Sequence, residues 1–126
     1  MSSLLLTITG ISGFLAVALG AFGAHALKNR LDADMLAVYH TAVQYHFIHT
    51  LALLGAAMLA ARFVQVATWS WAGWMFIVGM LIFSGSLYAL ALSGVRILGA
   101  ITPIGGVCFL VGWAMFAVAA WQSKGL

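Results

Sequence analysis

Residues 63–95 read FVQVATWSWAGWMFIVGMLIFSGSLYALALSGV, a run without one Asp, Glu, Lys, Arg or His. A helix needs about 20 predominantly apolar residues to cross a hydrocarbon core ~30 Å thick, and this run is longer than that. The pattern repeats in both directions. Residues 97–123 carry no charge, and residues 1–27 and 35–61 carry none but histidine's. The chain is 65% hydrophobic and 6% charged, with five basic and two acidic side chains in 126 residues. So few charges cannot clothe a water-soluble domain of this length. The chain belongs in a membrane.

Four crossings use nearly the whole sequence and leave one domain, residues 1–126. The expected fold is all-α, an integral membrane four-helix bundle made of two helical hairpins with both termini on the same side. Helices are expected at about 4–27, 38–61, 69–92 and 103–121, with an interfacial loop at 94–101. The first apolar segment is expected to be retained, although Ala24-His25-Ala26 has the spacing of a signal-peptidase site. It lacks a basic n-region, and its uncharged length far exceeds the about 7–15 residues of a signal h-region.

The net charge of +3 does not point to nucleic acid. Lys28, Arg30, Arg62, Arg96 and Lys124 are scattered at segment ends, where basic groups meet lipid headgroups. Cys108 is the chain's one cysteine, which rules out an internal disulfide and a cysteine metal cluster. The expected partners are the lipid bilayer and either a membrane-protein partner or a second copy in a homo-oligomer.

Small residues mark where backbones should approach closely, because in lipid close packing replaces the missing hydrophobic drive. Ala16, Gly20 and Ala24 recur every four positions, with Gly13 two turns before Gly20. Gly23, Gly85, Gly105 and Gly106 are further candidates for helix packing. Asp32 or Asp34 can cap the second helix, which over residues 33–61 would be about 43 Å long at 1.5 Å per residue. Its first turns must therefore tilt or lie in the interface. Those turns hold Tyr39, His40, Gln44, Tyr45, His46 and His49, whereas residues 51–61 are wholly apolar. All of these polar residues but His40, together with His25, are expected mostly to face the bundle interior, where they can find partners.

Trp69, Trp71, Trp74 and Trp121, with Arg62, mark one membrane interface, and Arg96 marks the other. Thr102 is the expected N-cap of the fourth helix, with Pro103 at its first position, where a missing N–H costs nothing. Residues 94–101 are expected to be mostly non-helical. All four histidines then fall on the side of the first and third loops, and four of the five tryptophans fall near the other. That loop side holds three basic residues against two, which leans the loops toward the cytoplasm and the termini outward.

The chemistry, if any, lies among the histidines. His46 and His49 are one helical turn apart, a spacing that can hold one metal, with His25 as a third ligand. His25 facing either of them could also hold a haem. The simpler reading is polar glue, in which neutral His, Gln, Tyr and Thr hydrogen-bond between helices. Phe83-Ser84-Gly85-Ser86 lacks the Gly-x-Ser-x-Gly elbow of a serine nucleophile. No Asp, Glu, Lys or Arg lies within a span, which disfavours a voltage sensor or a stand-alone active transporter. Glue is favoured, with no catalytic residue, no metal and no cofactor expected.

Four strings carry a family resemblance: Gly20-Ala-Phe-Gly-Ala-His-Ala-Leu27, Tyr39-His-Thr-Ala-Val-Gln-Tyr-His46 with His49, Phe83-Ser-Gly-Ser-Leu-Tyr88, and Leu98-Gly-Ala-Ile-Thr-Pro-Ile-Gly-Gly106. Together they resemble the YgdD-type family of small bacterial inner-membrane proteins, which has mitochondrial relatives. The resemblance covers nearly the whole chain. It implies a four-span inner-membrane protein of unknown biochemical role and supplies no catalytic residue. Two functions are compatible with it: a non-enzymatic accessory or interaction module, or a loop-side pocket for a lipid, quinone, haem or metal.

Overall fold

The computed structural model describes residues 2–126, and all its regular structure there is helical. The first span is α1 (Ser2–Phe22) continued by a π turn (Gly23–Leu27), and the second is α2 (Ala33–Arg62). The third is α3 (Thr68–Gly79), a second π turn (Met80–Ser84) and α4 (Gly85–Ser93). A 3-10 turn (Arg96–Ala100) leads into α5 (Thr102–Gln122), which completes the fourth. All four are long and apolar enough to cross a bilayer.

Local chemistry sets most of the boundaries. Asp32 has an extended backbone and its carboxylate accepts from the Met35 N–H at 2.8 Å, which starts α2. Gly94 ends α4 at φ 74°, a left-handed conformation that strains any side chain. The start of α5 departs from expectation. Thr102 does not cap it, and residues 96–100 are wound as a 3-10 turn rather than left irregular. A capping residue must leave helical geometry, whereas Ile101 keeps it (φ −82°, ψ −29°), so the chain winds on without a break. The Thr102 hydroxyl turns sideways and meets Ser86 Oγ at 2.5 Å. Pro103 does fall in the first turn of α5.

The first span buries Leu5, Thr9, Ser12, Ala16, Gly23 and Leu27 in one stripe. Steps of four alone, as in Ala16, Gly20, Ala24, advance 400° each and drift round a helix of 3.6 residues per turn. The stripe corrects with a step of three to Gly23, and Ala24 is left exposed. Gly23 lies directly against the ring of Tyr39, while Gly13 and Gly20 meet Thr50 and Val43 at ordinary distances. Gly105 faces the backbone of Phe83, and Gly106 only touches that residue's ring. Gly85 is no packing residue: a Cβ there would find nothing within 4 Å. Gly79 against Phe109 and Gly112 against Phe76 are close approaches that the sequence reading missed.

The second and third spans form the inner pair, burying twice the share of their length that the outer two do. Their contact is an alanine face (Ala52, Ala56, Ala57 with Ala72) filled by Leu5, Leu53, Phe76, Met80 and Phe109. At one end Thr68 donates to Gln122 Oε1 at 2.6 Å and Trp69 Nε1 donates to Ser123 Oγ at 2.8 Å. Trp69 is accordingly 2% exposed and is not an interface anchor, because its N–H finds a partner inside the bundle. Trp71 and Trp121 are exposed, the latter with Lys124 Nζ 4.5 Å above its ring. Trp74 is half-buried against the core, and Arg62 and Arg96 are exposed at span ends.

Candidate functional site

The second span supplies the polar half of the bundle. Tyr39, His46, His49 and Thr50 are buried, and Tyr45 sits at the rim. His25 and Gln44, expected to face the bundle interior, do not join them: both are exposed, as is His40. His25 is carried outward by a π turn that buries Gly23 and Leu27 instead. Gln44 lies about 160° round the helix from His46 at 100° per residue, and His40 lies one turn beyond Gln44 on that outer side. Tyr39 is fully buried and donates its phenol proton to the Leu19 carbonyl, tying the first two spans together.

His46 stands in a chain of hydrogen bonds whose direction follows from counting protons. Thr50 Oγ1 donates to the His46 carbonyl at 2.8 Å, so it can only accept from Ser12 Oγ, 2.6 Å away. Ser12, its one proton given to Thr50, must accept from His46 Nε2 at 3.1 Å. Nδ1 of that neutral ring then accepts from the Tyr88 hydroxyl at 2.9 Å. The order is Tyr88 to His46 to Ser12 to Thr50, joining three spans. Met80 Sδ lies 3.6 Å from both hydroxyls, a weaker acceptor than either oxygen.

His49 is fixed with equal definiteness. Trp113 Nε1 can only donate, so His49 Nε2 at 3.0 Å accepts, and the ring proton sits on Nδ1 and goes to the Tyr45 carbonyl at 2.8 Å. The imidazole stacks on Phe109 with centroids 3.6 Å apart and an 8° interplanar angle. His46 and His49 therefore use all four ring nitrogens within the protein, and they face different neighbours. Among the described residues no three His, Cys, Asp or Glu side chains converge. The arrangement does not fit the shared metal or haem considered from the spacing alone, because His25 is remote and each ring would have to give up an existing bond.

The inner pair is flanked by two clefts. One, of about 300 Å³, lies between the first and third spans, with Ser12, His46, Ser84 and Tyr88 in its floor. The other, of about 450 Å³, lies beside the fourth span and is lined by Tyr45, His49, Phe83, Phe109 and Trp113. Sequence reasoning missed Ser12 and Trp113 as histidine partners. Ser12 was visible only as a polar residue in an otherwise apolar span, and Trp113 as a mid-helix indole away from the expected interface.

Four apolar spans around a buried histidine network define a multi-pass, all-helical membrane protein. The chain belongs to the family described as "Protein of unknown function (DUF423)", which matches residues 19–106. Its relatives match over most of their length. It is 48% identical to the UPF0382 membrane protein YwdK of Bacillus subtilis, over 87% of this chain and 89% of that protein. It is 44% identical to a UPF0382 membrane protein of Haemophilus influenzae over the whole of both chains. It is also 44% identical to the UPF0382 inner membrane protein YgdD of Escherichia coli, over 98% of this chain and 93% of that one. No solved structure matches the chain.

Proposed function

We propose that the protein is a non-enzymatic accessory module of the inner membrane, which acts by packing its outer faces against a larger membrane complex or another copy of itself. One observation supports this reading above the rest: among the described residues, every buried side-chain nitrogen and oxygen has a hydrogen-bond partner inside the chain. The polar half-bundle is closed on itself. Both imidazoles are engaged at both nitrogens, and the buried Ser84 hydroxyl donates to the Ala42 carbonyl at 2.8 Å. Such a network fixes helix register, its members being worth of order 1 kcal/mol each in a membrane. Phe14, Val17, Leu110 and Val118 of the outer spans remain exposed for lipid or a partner.

Blue-native electrophoresis of membranes extracted in mild detergent tests the reading. The module reading expects the tagged chain in a band above the monomer, reproducible across detergents. A monomer under every condition overturns it.

The proposed topology places the first and third loops in the cytoplasm and the termini outside. A reporter inserted at Asn29 and one fused after Leu126 should then report opposite compartments, with Asn29 cytoplasmic. Equal signals from the two positions contradict the hairpin arrangement.

A further inference from the structure

We infer that the outer face of α2 is the seam of a homodimer, in which Gln44 pairs with Gln44 of a second copy. On that face His40, Gln44, Phe47, Leu51, Leu54 and Met58 are exposed, at alternating steps of four and three residues. A period of 3.5 keeps one stripe of a helix against a parallel neighbour, in a shallow left-handed crossing. Lipid would cover a wholly apolar stripe equally well. Gln44 is what sets this one apart.

Gln44 lies too deep to be wet. Ser84 donates to the Ala42 carbonyl, so Ala42 stands level with a residue nine positions from Ser93, the loop-side end of the third span. Nine positions rise roughly 14 Å, and Gln44 is two residues, or about 3 Å, further in. The third span has 26 residues. Its length of about 39 Å exceeds a ~30 Å hydrocarbon core by only about 5 Å at each end. The amide is thus on the order of 10 Å inside hydrocarbon, farther than a Gln side chain can reach back. Among the described residues nothing hydrogen-bonds it. An amide left unmet at that depth is costly, and a partner removes the cost.

Symmetry names the partner. Copies inserted the same way round are related by a two-fold axis along the membrane normal. Their α2 helices then run parallel, and each residue sits at the depth of its equivalent. An amide offers Nε2–H as donor and Oε1 as acceptor, so two of them across the axis satisfy each other. One polar residue at a core position of a parallel pair also fixes its register and favours two strands. A different membrane protein would need its own polar group at this depth and angle.

The seam rests on the module reading and names a second copy as what the module packs against. On a Cys108→Ala background of the full chain, His40→Cys, Phe47→Cys, Leu51→Cys and Leu54→Cys are oxidised in intact membranes. Phe14→Cys and Leu110→Cys, exposed on the first and fourth spans, are the controls. Disulfide-linked dimers should form at the seam positions and not at the controls. Gln44 bonds to nothing in its own chain, so replacing it leaves the fold intact. In vesicles of full-length chains carrying donor or acceptor fluorophores, Gln44→Leu should weaken association about tenfold by Förster transfer. Gln44→Asn, which keeps an amide, should stay nearer the parent. Dimers linked at the controls rather than the seam, or association of Gln44→Leu equal to the parent's, overturn the seam. A native band above the monomer with no transfer between copies also overturns it, and leaves the module reading standing with a different partner. A monomer by both measures overturns both.

Discussion

Gly105→Ala is expected to loosen the junction of the third and fourth spans and to lower stability by about 1–3 kcal/mol, the range of an overpacked core. A Cβ at residue 105 would fall on the backbone nitrogen of Phe83 and come within 2.8 Å of its Cα. A ring can rotate away from an added methyl, but a backbone cannot. The two helices must separate, and the separation is felt at the Gly79–Phe109 and Gly112–Phe76 contacts along the same junction. Gly106→Ala is the matched control. Its added Cβ would lie 3.9 Å from the Phe83 ring, an ordinary contact, so its effect should stay within about 0.5 kcal/mol. Thermal unfolding in detergent can be followed by dye labelling of Cys108, a free thiol that is not fully exposed and lies on α5. A midpoint for Gly105→Ala equal to that of Gly106→Ala would show that the junction is wider than described.

His46→Leu is expected to cost about 1–3 kcal/mol, the penalty for leaving buried polar groups unpaired. Removing the imidazole strands the Tyr88 hydroxyl, which gives its proton to Nδ1, and leaves Ser12 without its donor. The first and third spans lose a side chain whose two ring nitrogens bond to both. His49→Phe should cost less. The ring keeps its stack on Phe109, and only the N–H of Trp113, itself an exposed residue, is left without a partner. Leu is not expected to be rescued by Gln at 46, because one amide cannot reproduce two opposed in-plane ring nitrogens at this spacing. The same labelling assay reads the order His46→Leu below His49→Phe below the parent. The reverse order would mean that stacking at His49, and not the hydrogen-bond chain at His46, holds the polar half together.

Fold class was legible because it depends on quantities that add along the chain. Hydrocarbon tolerates no charge and demands that every backbone group be paired internally, so long uncharged runs can only be spanning helices. An aspartate cap at 32 or 34 was legible for a similar reason, since side chain and N–H lie three residues apart with no distant partner involved; the structure selects Asp32. Thr102 shows the limit of that logic. Its cap position was judged from neighbours in sequence, but its hydroxyl was claimed by Ser86 across the bundle.

The sequence by itself determined the solvent, the four crossings and the concentration of polarity in the first half of the second span. Gln44 was expected inside with His46 and His49, but it lies about 160° round the helix from His46 and is exposed. Only the tertiary structure decided which glycines matter, setting Gly105 against a backbone and Gly85 against open space. It also decided that Trp69 is buried and that His46 and His49, one turn apart, serve different neighbours. The π turns that bury Gly23 with Leu27 and Met80 with Ser84 have no sequence signature here. The physical reason is common to these cases. Crossing a membrane is a requirement on each helix alone, whereas a close approach, a shared proton or a cleft belongs to two or three helices at once.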